Sequence, residues 1–124
     1  MIRSLMQTAL DTALNPSVLV HWQRKTGPDV DEFIVYTLGG DSKEMPADDM
    51  PLIKNANITV RYYYRTEKID TPAGRQAVIS REDAIEAALE TAGFSIPGGK
   101  FDAGDIDDIG FYVTVFECEY WRVV

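Results

Sequence analysis

The chain has 124 residues, of which 45% are hydrophobic and 26% charged, and a formal net charge of −8. These totals fit one folded domain with a single core and exclude wholesale disorder, and a pI near 4.5 disfavours non-specific attraction to nucleic acid or an anionic membrane. A single cysteine, Cys118, excludes an intramolecular disulfide and a multi-cysteine metal site, and makes a reducing compartment the default.

The first segment, MIRSLMQTALDTALNP, places Ile2, Leu5, Met6, Leu10, Ala13 and Leu14 at three- and four-residue spacing, which predicts an amphipathic helix. Gln7, Thr8 and Asp11 break up its apolar residues, so it lacks the continuous run of a signal peptide. No stretch of the chain approaches the length of a membrane span. Asn15-Pro16 stops the helix, because the residue before proline is pushed out of helical geometry. SVLVHWQR then reads as a strand, with Val18, Val20 and Trp22 on one face and Leu19, His21 and Gln23 on the other. After the turn TGPD, DEFIVYTL is a second strand rich in β-branched and aromatic residues. Gly39-Gly40 opens the segment 39–55, GGDSKEMPADDMPLIKN, whose glycines, prolines and charges predict a long irregular connector.

NITVRYYYRT is the third predicted strand. A second connector, 67–79, turns at Thr71-Pro72-Ala73-Gly74. Ser80 then caps a second helix, with Glu82 and Asp83 at the positive end of its dipole. Ala84, Ile85, Ala88, Leu89 and Ala92 form its buried stripe, and Gly93 supplies the left-handed stop. FSIPGGKFDAGDIDDI holds at most one short strand, and GFYVTVFECEYWRVV is a long last one. The order α-β-β-β-α-(β)-β predicts a single α+β domain over 1–124. Its expected form is a mostly antiparallel sheet of four to five strands with two helices packed on one face.

The stretch Arg61-Tyr62-Tyr63-Tyr64-Arg65 resembles a cationic platform for stacking bases. Strand periodicity divides it. Ile58, Val60, Tyr62 and Tyr64 face the core, and Thr59, Arg61, Tyr63 and Arg65 face solvent or a partner. One ring between two cations is a poor platform for a nucleic-acid strand, which needs several rings along a groove, and suits a protein interface better. An ordinary exposed sheet face remains the plain alternative. Charge is also segregated along the chain. Residues 29–50 carry seven acids against Lys43, 54–81 six bases against Glu67 and Asp70, and 82–119 ten acids against Lys100. Either these are solvated faces, or the basic segment of one copy meets an acidic segment of another, with Asp102, Asp105, Asp107 and Asp108 as candidate partners.

No motif specifies a reaction. His21 stands alone, so histidine triads and histidine metal sites have little to build on. Cys118 lies between Glu117 and Glu119, which raise a thiol pKa, the wrong direction for a nucleophile. PGGKF lacks phosphate-loop spacing, has Phe101 where a hydroxyl is needed, and follows a helix instead of opening one. DAGDIDDIG starts like a calcium loop at Asp105, but Ile109 and Phe116 fall where oxygen ligands are required. A weak non-standard cation site and a solvated acidic loop are the remaining readings. No pair of carboxylates can be assigned acid and base roles, so no enzyme, cofactor or metal is expected.

The series DEFIVYTLGG, ITVRYYYRTEK, REDAIEAALETAGFSI and IGFYVTVFECEYW, preceded by an amphipathic helix, resembles the small tail-completion proteins of long-tailed bacteriophages and prophages. These are the tail terminator or tail-to-head joining class. The resemblance covers nearly the whole chain and lies in element order, with no invariant signature. It implies a non-enzymatic virion protein in the tail or neck, present in the host cytoplasm during assembly. Its partners would be further copies in a homo-hexameric ring, the tail-tube protein and the head–tail connector, with no membrane and no specific nucleic acid. The alternatives are another neck component, such as a head-closure protein, or a monomeric acidic inhibitor or small-molecule-binding α+β module.

Overall fold

The computed structural model describes residues 2–14, 19–22, 31–44, 53–104 and 110–123. Its elements are α1 (Ile2–Leu14), β1 (Leu19–Trp22), β2 (Glu32–Glu44), β3 (Ile53–Arg65), a 3-10 helix (Thr66–Asp70), α2 (Pro72–Thr91), β4 (Lys100–Gly104) and β5 (Phe111–Val123). The strands form one five-stranded sheet in the order β1-β2-β3-β5-β4. The fold is α+β, as expected.

Alternation along the strands decides which face is core. Ala56, Ile58, Val60, Tyr62 and Tyr64 of β3 are buried, together with Ile34 and Tyr36 of β2 and Phe116 and Cys118 of β5. Met6 and Leu10 of α1 and Val78, Ile85 and Leu89 of α2 pack on that same face. Both helices therefore lie on one side of the sheet. Fully burying each such aliphatic side chain contributes about 1.5–3 kcal/mol, so this single layer supplies most of the driving force. The helix α2 ends as predicted, with Gly93 at a φ of 99°.

Two expectations need correction. The first concerns 39–55, which is not irregular throughout. β2 runs on to Glu44 and β3 begins at Ile53, with Asp41 opposite Ala56 and Lys43 opposite Lys54. The register shifts between Leu38 and Gly40, so the two glycines mark a β-bulge and not the end of a strand. β3 is flanked by β2 and β5 along its length, and this pairing satisfies backbone groups that local composition would have left to water.

The second correction concerns 67–79. Thr66–Asp70 is a 3-10 helix, and α2 starts at Pro72, eight residues before Ser80. Thr71 is the N-cap: its Oγ1 accepts from the backbone N–H of Gly74 at 3.1 Å, and Pro72 takes the first helical turn. Ser80 lies exposed inside the helix. The early start was hidden because Val78 is the one buried residue between Pro72 and Arg81, too little to make an apolar stripe. The sheet is mostly antiparallel, as expected: only β1 and β2, among the described strands, pair in parallel, Leu19 beside Phe33 and Trp22 beside Tyr36.

Candidate interaction surface

The face of the sheet away from the helices carries the residues singled out by alternation. Tyr63 lies between Phe33 of β2 and Val113 of β5, and Arg61 between Val35 and Val115. Phe33, Val35, Phe111, Val113 and Val115 are all buried, while Arg61 and Tyr63 are half-buried beside them. Of the two, Tyr63 packs against the cluster of Phe33, Val35 and Phe111.

The aromatic geometry is specific. Tyr63 stacks on Phe33 with centroids 4.7 Å apart and planes 11° from parallel. Phe111 meets Phe33 edge-on at 5.4 Å. The Arg65 guanidinium lies 4.9 Å from the Phe111 ring centre, and its Nε donates to Asp31 Oδ1 at 3.1 Å. Tyr63 therefore already stacks one ring, and Arg65 already holds an internal acid. Arg61 has no ion-pair partner among the described residues.

The acidic candidates are arranged differently. Asp102 is exposed on β4, in register with Thr114, whose side chain points to the helix side. It lies on the face opposite Arg61, Tyr63 and Arg65, so Asp102 does not meet them within one copy. Asp105, Asp107 and Asp108 lie outside the described residues, as does the side chain of His21. Among the described residues, no three His, Cys, Asp or Glu side chains are grouped to hold a metal ion. No helix among them is long and apolar enough to cross a membrane.

Much of the basic segment is neutralised internally. Lys68 Nζ donates to Glu32 Oε2 at 3.2 Å, and Arg81 Nε donates to Glu32 Oε1 at 3.1 Å. The Tyr62 hydroxyl donates to the same Oε2 at 2.8 Å. The Glu32 side chain is 12% exposed and gathers donors from β3, the 3-10 helix and α2. Burial first, and the Glu32 carboxylate second, push the Tyr62 phenol far above its ordinary value. Sequence reasoning missed this carboxylate, because its partners are up to 49 residues away. After these pairings Arg61 and Arg75 remain as described bases of the segment without an ion-pair partner among the described residues.

Two further acidic or nucleophilic groups are buried. Glu82 on α2 accepts from the Thr114 hydroxyl on β5, and burial raises its carboxyl above the ordinary value. The Cys118 thiol is buried and pushed up to about 12, by burial first and Glu117 second. Both pack against the core, and Cys118 also borders a small cavity with Asn57, Pro97 and Gly98. A groove of about 590 Å³ runs between the helices, lined by Leu5 and Ala9 of α1, by Ala84, Ala87 and Ala88 of α2 and by Ala92 just after it.

Neither a protein-family model nor a curated protein matches the chain. A solved structure that bears no functional name is similar to it, with a TM-score of 0.52 and 11% identity over 98% of this chain and 95% of that one. At that identity the likeness concerns the fold alone.

Proposed function

We propose that the chain is a non-enzymatic structural protein that assembles with copies of itself into a ring, capping a phage tail tube and joining it to the head. The observation that carries this reading is the sheet face away from α1 and α2. There half-buried Arg61 and Tyr63 lie beside buried apolar neighbours, and Tyr63 stacks on Phe33. Tyrosine and arginine beside buried apolar residues are the residue types that dominate protein interfaces. The placement of Asp102 on the opposite face supports a head-to-tail contact, since such contacts join unlike surfaces and close into rings when the rotation permits.

Light scattering over a concentration series, with and without the tail-tube protein, tests the reading. Ring-sized species are expected at least when the tube protein is present. Arg61→Glu is expected to abolish them while the monomer stays folded. A chain that remains monomeric and never binds the tube protein would refute the proposal.

One observation favours a second reading, a monomeric small-molecule-binding module: the apolar groove between α1 and α2, whose volume is in the range of ligand pockets. A stable monomer that binds apolar probes there would select it.

A further inference from the structure

The two halves of α2 differ in character. Residues 72–81 contain Arg75 and Arg81 and no acid, whereas 82–91 contain Glu82, Asp83, Glu86 and Glu90 and no base. In the first half Arg81 is held by Glu32, which leaves Arg75 exposed. One turn further on, Ile79 is 49% exposed, one of two large apolar side chains so exposed among the described residues. At a spacing of four residues Arg75 and Ile79 share one helix face.

In the second half Glu82 is buried and Glu86 is taken by Lys100, so Asp83 and Glu90 are the exposed acids without an ion-pair partner among the described residues. They stand four residues before and three after Ala87, on the rim of the alanine-lined groove. An apolar floor of small residues lets a crossing helix approach closely. An acidic rim selects a basic partner.

We infer that this groove receives the first half of α2 from a second copy, with Ile79 on the alanine floor and Arg75 against Asp83 and Glu90. The donor residues and the groove residues do not overlap, so every copy uses both at once. Passed on from one copy to the next, the contact is head-to-tail and repeats, whereas reciprocal exchange within one pair would stop at a closed dimer. It rests on the self-assembly reading above and names a contact within it. It is separate from the Arg61 surface, which lies on the other face of the sheet.

The test uses the full chain by light scattering, with and without the tail-tube protein. Ile79→Asp removes the donor, and Ala88→Trp fills the groove. Each alone is expected to lose all large species. A mixture of the two restores one good contact, from the intact donor of one to the intact groove of the other, and is expected to give a heterodimer and nothing larger. Arg75→Glu is expected to weaken self-association roughly tenfold, and adding Glu90→Arg to it should restore the wild-type value. Because Ala88 is half-buried, Ile79→Cys mixed with Ala88→Cys supplies an independent readout, a disulfide-linked pair under oxidation.

Normal assembly of both Ile79→Asp and Ala88→Trp overturns the inference. If Arg61→Glu at the same time abolishes assembly, the ring reading survives without this contact. A wild-type chain that stays monomeric, with no link between positions 79 and 88, removes both. Loss of tube-protein binding in Ala88→Trp with self-association intact would assign the groove to the tube protein and overturn the inference.

Discussion

Replacing Glu32 by glutamine changes one atom and tests whether this carboxylate holds the sheet, the 3-10 helix and α2 together. In the wild type Oε2 accepts from Tyr62 at 2.8 Å and Lys68 at 3.2 Å, while Oε1 accepts from Arg81 at 3.1 Å. A glutamine has one acceptor oxygen and one NH2 donor. Whichever way the amide is turned, its NH2 faces at least one group that can only donate. One charge-assisted hydrogen bond is lost, at about 1.5–3 kcal/mol, together with the charge shared by two cations. Removing one partner of a fully buried ion pair costs about 3–5 kcal/mol. Lys68 and Arg81 keep about a quarter of their side-chain exposure, so the lower part of that range applies.

The expected loss is therefore about 2–3 kcal/mol, or a fall in Tm of about 8–12 °C at roughly 4 °C per kcal/mol for a domain of this size. Urea unfolding at pH 7, followed by circular dichroism, measures it. Glu67→Gln is the control, because exposed Glu67 accepts from its neighbour Thr66 at 3.2 Å and should be neutral. A Glu32→Gln protein within about 0.5 kcal/mol of wild type would refute the view that this carboxylate ties the elements together.

Glu82 should behave in the opposite sense. Its carboxyl is raised in the folded chain, so folding favours the protonated form and stability falls as pH rises from the ordinary value of 4.5 through the folded value. Glu82→Gln keeps an acceptor for Thr114, and should raise Tm at pH 7 by an increment that shrinks as pH falls toward 4.5; equal increments at both pH values would contradict this. Gly74→Ala should destabilise by about 2–3 kcal/mol, because a Cβ there would collide with the Lys68 carbonyl oxygen and force the turn into α2 to open; thermal melts check it. Cys118 should resist a thiol reagent at pH 8 in the native chain and react fully in urea, and rapid native labelling would show that the thiol is neither buried nor raised.

Elements whose own residues carry the signal were legible. Tyr62 and Tyr64 were assigned to the core and Tyr63 to the other face, because a strand turns successive side chains to opposite sides whatever lies next to it. The end of α2 at Gly93 was equally local. The start of α2 was not, although Thr71-Pro72 is a capping signature, because its exposed first half shows no apolar stripe. The continuation of β2 past Gly40 was hidden for a related reason. Its hydrogen bonds come from Asn57 back to Ile53 on the next strand, and composition alone reads glycine and charge as loop.

For the candidate surface, alternation along β3 was enough to put Arg61, Tyr63 and Arg65 on one face. It could not say which of them were already engaged. Asp31 takes Arg65, Phe33 stacks Tyr63, and Glu32 draws in Lys68 and Arg81, so a segment that is strongly basic in sequence has much of its charge neutralised in the fold. The physical reason is that periodicity is a property of one segment's backbone, whereas pairing depends on the register between strands and helices far apart in the chain. Amino-acid order thus determined the α+β class and the two faces of β3. Tertiary packing alone decided the parallel pairing of β1, the neutralised charges and the residues left free to meet a partner.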